Sequence, residues 1–262
     1  MSGATTVLPL QGRHALITGA GRGIGAAITR HLAAAGADVT LVGRDLVALR
    51  AVAESLHGVA VCCQSADVTN VSAVRAAVAA ARVALGPISI LVNNAGQAAS
   101  APLEKTTDAI WGDMLASNLT GSFLFMRECV PDMTAAGLGN IVNIASTAGL
   151  TGYAYVAAYC AAKHGVIGLT RAAAVEYARR NIKINAVCPG YTDTDMTRAT
   201  LDNIRDRTGR SKDEVLAKLL GNSPQGRLMT PDEVANAVLW LCLPGAEGVT
   251  GQSIAVAGGE VM

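Results

Sequence analysis

Aromatic residues are scarce. Phe, Trp and Tyr make up 3% of the 262 residues, too few for the stacking platforms on which single-stranded bases lie. Neither sign of charge dominates: 21 Lys and Arg stand against 20 Asp and Glu. Without a basic surplus to grip a phosphate backbone, nucleic acid is excluded as the main partner. Although 51% of residues are hydrophobic, charges interrupt every long apolar run, and none reaches the ~18 residues of a spanning helix. The start, MSGATTVLPLQGR, lacks the basic opening and apolar core of a secretory signal. A cytoplasmic protein without a membrane partner is expected, with residues 1–9 a flexible N-terminal tail.

Cysteine pairing is also missing. Cys62, Cys63, Cys129, Cys160, Cys188 and Cys242 form no CxxC pair and no Cys/His spacing suited to zinc. No metal is expected, and the thiols read as reduced and mostly buried.

What is present is an alternation. Short β-branched runs at His14–Thr18, Asp38–Val42, Val59–Cys63, Ile88–Val92, Asn140–Ala145, Ile182–Val187 and Gln252–Val256 read as strands. They are apolar on both faces, as in a parallel sheet covered on each side by helices. Between the first two, Ile24, Ile28 and Leu32 recur on one helical face before Gly36 stops the helix. Strand, helix and strand in ~30 residues make a βαβ unit, and its repetition predicts an α/β fold with a doubly wound, seven-stranded parallel sheet. Two later helices start at capping boxes, Ser211 with Glu214 and Thr230 with Glu233. Residues 193–226 have no strand signal and carry six basic and six acidic residues. They read as an insertion, either a cover over the site or a surface elaboration, within a single domain over 10–262.

Directly after the first strand comes Thr18-Gly19-Ala20-Gly21-Arg22-Gly23-Ile24-Gly25. Glycines there let the backbone approach a pyrophosphate, which a helix N-terminus then receives. No GK[ST] follows, so nucleoside triphosphate hydrolysis drops out. At the end of strand two an acid would bind a free ribose 2′-OH, and a basic residue a 2′-phosphate. Gly43 stands where the acid would be, Arg44 follows, and Arg22 is within reach of the same phosphate. NADP(H) is therefore expected, with NAD(H) as the alternative. The competing reading makes Arg44 a solvated residue at a helix start, with Asp45 the cap.

Tyr159 and Lys163 stand four apart in Tyr-Cys-Ala-Ala-Lys, on one face of a helix. An ammonium beside a phenol favours the phenolate, so a lowered Tyr159 pKa and an acid/base role are expected. Ser146 lies thirteen residues earlier, at the carboxyl end of a strand, where open α/β sheets bind ligands.

With these motifs the chain resembles the short-chain dehydrogenase/reductase family, in the branch that includes 3-oxoacyl thioester reductases. The matching residues run in order: TGAGRGIG at 18–25, Asp67-Val68-Thr69, Asn93-Asn94-Ala95-Gly96, Asn118, Ser146, the Tyr159/Lys163 pair and Pro189-Gly190. The resemblance implies a Rossmann-type fold and the catalytic set Asn118, Ser146, Tyr159 and Lys163. Ser146 would orient a substrate carbonyl, Tyr159 would protonate it, Lys163 would hold the nicotinamide ribose, and Asn118 would hold a water of a proton relay. It further implies cofactor contacts from Gly19, Arg22, Gly23, Ile24, Gly25, Arg44, Asp67, Val68, Asn94, Ala95, Gly96, Pro189, Gly190, Thr192 and Thr194. By the same analogy Gln97, Leu150, Tyr153 and Tyr191 would line a substrate pocket with Ser146. Ala257 departs from the family, which commonly has Asp there.

The expected activity is hydride transfer between NADP(H) and a ketone or secondary alcohol, most readily a 3-oxoacyl thioester or similar β-keto compound. Such a substrate can be carried on CoA or on a carrier protein, although the charge-balanced 193–226 segment offers no basic funnel for either. Two alternatives stay open: a polyol, sugar or cyclic-alcohol dehydrogenase, and a catalytically silent NADP-sensing protein. The family also implies a homotetramer.

Overall fold

The computed structural model describes residues 8–209 and 211–261. Its seven strands are β1 (His14–Thr18), β2 (Asp38–Gly43), β3 (Val61–Ser65), β4 (Ile90–Asn93), β5 (Gly139–Ile144), β6 (Ile182–Pro189) and β7 (Ser253–Val256). They form one sheet in the order β3-β2-β1-β4-β5-β6-β7, and each neighbouring pair is parallel. The expected doubly wound sheet is present. The chain leaves β1 first towards β2 and later returns on its other side at β4, so a crevice opens above the carboxyl ends of β1 and β4.

The starts of β5 and β7 differ from the sequence expectation by one residue; those of β3 and β4 come two residues later, and in each of these an aspartate accounts for the difference. The Ala60 N–H donates to Asp38 Oδ1 at 2.8 Å, so the strand expected from Val59 begins at Val61. The Ile88 N–H donates to Asp132 Oδ2 at 3.0 Å, so the strand expected from Ile88 begins at Ile90. Both side chains divert a backbone donor from the sheet.

The helices are α1 (Gly23–Ala34), α2 (Leu46–Ala53), α3 (Val71–Leu85), α4 (Asp108–Leu115), α5 (Gly121–Ala136), α6 (Ala157–Tyr177), α7 (Asp195–Thr208), α8 (Lys212–Leu220) and α9 (Pro231–Cys242). Alternation along β1 feeds two cores. Ile17 packs with Ile28 and Leu32 of α1 and Val234 and Val238 of α9. Leu16 packs on the other face with Val74 of α3 and Phe125 and Met133 of α5. Leu8 lies against Gly36 and Leu10 is buried; residues 1–7 of the expected tail fall outside the described residues.

The 193–226 segment contains α7 and α8, and its base is fixed to the sheet end. Met229 N–H donates to Tyr191 O at 2.9 Å and Asp193 N–H to Met229 O at 2.8 Å. Its charges pair locally: Arg198 with Asp193 and Asp195, and Asp202 with Arg205 and Lys212. Both expected capping boxes form, at Ser211/Glu214 and Thr230/Glu233. The six cysteines are free, with Cys129, Cys188 and Cys242 buried and Cys62, Cys63 and Cys160 half-buried.

Candidate active site

Ser146, two residues past β5, starts a short 3₁₀ turn and accepts the Ala148 N–H at 3.1 Å. Its hydroxyl lies near enough to the phenol of Tyr159 on α6 to favour the phenolate. One turn further along α6, the buried Lys163 ammonium donates to Ile144 O, the last carbonyl of β5, at 2.8 Å. That ammonium lies 5.6 Å from the centre of the Tyr159 ring. Ser146, Tyr159 and Lys163 thus meet at one strand end.

The electrostatics differ from the sequence expectation. Desolvation pushes the Tyr159 phenol up to about 12, and the nearby Ser146 hydroxyl acts in the opposite sense. Burial also pushes Lys163 down to about 8. At Tyr159 desolvation therefore outweighs what favours the phenolate, so its pKa is raised where the spacing to Lys163 predicts a lowered one. At neutral pH Tyr159 holds its proton and can act as an acid, while Lys163 is largely charged.

Asn118 lies in a π-helical turn, Ala116–Thr120, between α4 and α5, the kind of insertion common at functional sites. Its Nδ2 donates to Gln97 O at 2.9 Å and Met114 O at 3.0 Å, and its Oδ1 accepts the Gln97 N–H at 3.3 Å. A Cβ on Gly96 would sit 2.5 Å from Asn118 Oδ1 and 3.6 Å from Lys163 Nζ. Gly96 therefore passes between the two side chains, and its lack of a side chain brings Asn118 next to the other three.

The glycine turn leads into α1, whose first residues have no side-chain cap. Uncapped N–H groups at a helix start, with the positive end of its dipole, suit a pyrophosphate. Packing, too, requires the glycines. A Cβ on Gly25 would lie 2.2 Å from Gly19 O, and one on Gly19, at φ +66°, would lie 2.8 Å from Asn94 Nδ2. Asn94 donates from Nδ2 to Thr18 O at 2.9 Å and to Gly19 O at 3.2 Å, and Ala95 N–H donates to Thr18 Oγ1 at 3.0 Å. Asn94 and Ala95 thus brace the turn from the end of β4. Gly23 faces Thr194, which caps α7, so the turn has the 190–194 segment across from it. The sites of Ile24 and Gly190 are half-buried, and Thr192 is buried with its hydroxyl on Gly190 O at 3.1 Å.

Arg22 and Arg44 are exposed, and among the described residues neither forms an ion pair. Arg44 is close enough to Asp67 to help hold its carboxyl below the usual range, after the two hydrogen bonds from Thr69. This gathers Arg44, Asp67 and Val68 at the β2–β3 end of the crevice. Asp45 accepts the Val47 and Ala48 N–H groups as the α2 cap, so the cap and a free Arg44 coexist. These residues fit an adenine dinucleotide carrying a 2′-phosphate.

The expected substrate wall comes together in part. Gln97 is exposed and joined to Asn118 through its backbone, and Leu150 is 37% exposed. Tyr153 and Tyr191 are half-buried near the sheet end. Sequence reasoning missed Glu260. Gly258 and Gly259, at φ +61° and +88°, fold the tail back so that Tyr153 donates to Glu260 Oε1 at 2.6 Å. Burial, with Glu260 as acceptor, pushes the Tyr153 phenol up. The paired glycines before an acid are the available signal. Among the described residues there is no group of three or more His, Cys, Asp or Glu that would hold a metal ion, and no helix is long and apolar enough to cross a membrane.

A family model described as short chain dehydrogenase matches residues 13–205. The chain is 40% identical over 256 residues to the galactitol 2-dehydrogenase (L-tagatose-forming) of Cereibacter sphaeroides, covering 97% of each. It is 37% identical over 257 residues to the 3-oxoacyl-acyl-carrier-protein reductase of Vibrio harveyi, covering 97% of this chain and 99% of that one. The crystal structure of a variant actinorhodin polyketide ketoreductase with NADPH superposes with a TM-score of 0.91 at 38% identity, covering 95% of this chain and 97% of the other.

Proposed function

The chain belongs to the short chain dehydrogenase family, and on that premise we propose that it is an NADP-dependent reductase of a 3-oxoacyl thioester or similar β-keto compound. The observation that carries this reading is the convergence of Ser146, Tyr159 and Lys163 at the carboxyl end of β5, with the Lys163 ammonium on Ile144 O and 5.6 Å from the centre of the Tyr159 ring. The NADPH-bound ketoreductase and the 3-oxoacyl reductase among its relatives support the cofactor and the substrate class.

The residues that would hold NADP are the α1 start with Arg22, Gly23 and Ile24, then Arg44, Asp67 and Val68, and the segment from Pro189 to Thr194. When bound, NADPH supplies the hydride. Ser146 and Tyr159 present two hydroxyls to one carbonyl oxygen, which polarises the carbonyl and orients it. As that oxygen gains charge, Tyr159 gives up its proton, so the carbonyl carbon has gained a hydride and the oxygen a proton. The phenolate left behind draws stabilisation from the neighbouring Lys163 ammonium, which lowers the cost of a proton leaving a phenol held near 12. Asn118, beside Gly96 and Lys163, is placed to hold a water that returns the proton.

NADPH consumption tests this directly. Purified protein is mixed with β-ketoacyl thioesters, and absorbance of the reduced cofactor is followed. Oxidation well above background is expected; failure with every thioester removes the substrate half of the proposal. A second reading, reduction of a hydroxylated ketone such as a ketose, is favoured by the galactitol 2-dehydrogenase relative and by the Glu260 carboxylate beside Tyr153.

The assembly inferred is a homotetramer of one-domain subunits spanning residues 10–262, with 193–226 over the substrate. Exposed Trp111, Phe123 and Val175 on α4, α5 and α6 support a covered helical face. A monomer mass at micromolar concentration would refute it.

A further inference from the structure

The amino ends of β1, β5 and β6 lie across the sheet from Ser146 and Tyr159. β6 alone is eight residues long, which puts on the order of 20 Å between its two ends. At the amino end a cavity of about 180 Å³ opens. Exposed Pro9, Pro244 and Glu247 rim it, and Lys183 and Cys242 are buried in its lining.

Two cations line this cavity. Arg13, just before β1, donates from Nε to Ser89 Oγ at 2.8 Å, and from Nη2 to Ser89 O at 2.9 Å and Asn140 Oδ1 at 3.1 Å. These bonds fix the guanidinium and leave Nη1 without a hydrogen bond among the described residues. Lys183, in register with Asn140 of the neighbouring strand, is only 8% exposed. Its ammonium donates to Asn181 Oδ1 at 2.9 Å, one bond for a group with three protons. Neither cation is in an ion pair among the described residues. The carboxylate in the lining, Glu247, is near enough to favour the Lys183 ammonium, which Arg13 disfavours. Glu247 Oε2 accepts the Gly245 N–H at 2.9 Å. No acidic residue precedes Arg13 in the sequence, so the chain entering β1 supplies no second carboxylate.

An incompletely paired charge held out of water is costly, and an anion between the two cations offsets that cost. The rest of the lining is largely apolar, with Leu138, Leu243 and Ala246 beside the two prolines. A cavity of ~150 Å³ takes up benzene, so this one has room for a ring or a short chain. We infer that the cavity is a binding site for a small carboxylic acid with an apolar body, a short-chain or aromatic monocarboxylate, separate from the reacting end. The carboxylate is held between the Arg13 guanidinium and the Lys183 ammonium, and the apolar body lies against Leu138 and Leu243. Inorganic phosphate satisfies the cations and leaves the apolar lining unfilled, whereas an alcohol of the same shape does the reverse.

Calorimetric titration of the NADPH-loaded protein with benzoate, benzyl alcohol and inorganic phosphate tests this. Benzoate should bind once per subunit and at least tenfold more tightly than either of the others. Lys183→Met should weaken benzoate about tenfold, the loss of one charge-assisted hydrogen bond, and leave NADPH affinity unchanged. Glu247→Gln keeps an acceptor for the Gly245 N–H and removes the competing charge, so benzoate should bind about threefold more tightly.

Benzoate binding that Lys183→Met leaves unchanged places the ligand elsewhere and overturns the inference. No binding of benzoate, or phosphate or the alcohol binding as tightly, overturns it too. Should Lys183→Met fail to fold, Glu247→Gln decides, and an affinity for benzoate that does not rise counts against the site. None of these readings depends on turnover, so they stand or fall separately from the proposed reaction.

Discussion

Lys163→Met should make the nucleotide-free protein more stable while removing its activity. The ammonium is buried, and burial lowers its pKa from 10.5 to about 8. At ~1.4 kcal/mol per pH unit, that displacement is about 3 kcal/mol of destabilisation when the group is charged in the native state. Methionine fills a similar volume without a charge, but it leaves Ile144 O without its donor, which costs about 1 kcal/mol. The net gain at pH 7 is about 2 kcal/mol, or roughly 4–8 °C in Tm for a chain of this length. The sign with pH follows from proton counts. Below about 8 both folded and unfolded states hold the Lys163 proton, and the penalty is fully present. Between about 8 and 10.5 the unfolded state binds more protons than the native state, so the native protein gains stability with rising pH and the variant's advantage shrinks. Tyr159, held up at about 12 when folded, acts in the opposite direction only above 10 and does so in both proteins. Urea unfolding of both proteins at one fixed concentration, at pH 7 and again near pH 9.5, checks this. A variant less stable at pH 7, or a difference that fails to narrow at high pH, would refute the reasoning.

Gly25→Ala should lower stability by about 1–3 kcal/mol and weaken NADPH binding, because its Cβ meets Gly19 O at 2.2 Å and the turn must move; thermal unfolding and cofactor titration together check both halves. Arg44→Ala should weaken NADPH binding about tenfold, the loss of one charge-assisted contact, while NADH affinity stays within about twofold. Fluorescence titration with the two cofactors measures this, and indifference to the substitution would mean that the 2′-phosphate is held elsewhere.

The strands were readable because apolar, β-branched residues occupy both faces of each one, a pattern that local composition carries by itself. Their starts were less readable: the ladder at Val61 and Ile90 is set by Asp38 and Asp132, which capture backbone donors 22 and 44 residues away. The capping boxes of α8 and α9 were readable since both partners lie three residues apart. At the site, the Tyr159/Lys163 spacing revealed the pair but not its titration. Burial sets that, and burial depends on packing between α6 and the sheet rather than on neighbours in the chain. Gly96 read as part of a motif, whereas its physical reason, the approach of Asn118 to Lys163, appears only in three dimensions. Glu260 was hidden for a similar reason. Its partner Tyr153 is 107 residues away, and two left-handed glycines carry the chain back to reach it.

The central claim is that Tyr159 donates the proton in a ketone reduction. Tyr159→Phe, which keeps the ring and removes the hydroxyl, tests it most directly, with NADPH affinity measured by fluorescence and turnover by NADPH oxidation in the presence of a β-ketoacyl thioester. The account predicts cofactor affinity within about twofold of the native protein and a kcat lower by about a thousandfold, the scale of lost general-acid catalysis. A variant that oxidises NADPH at the native rate would contradict it.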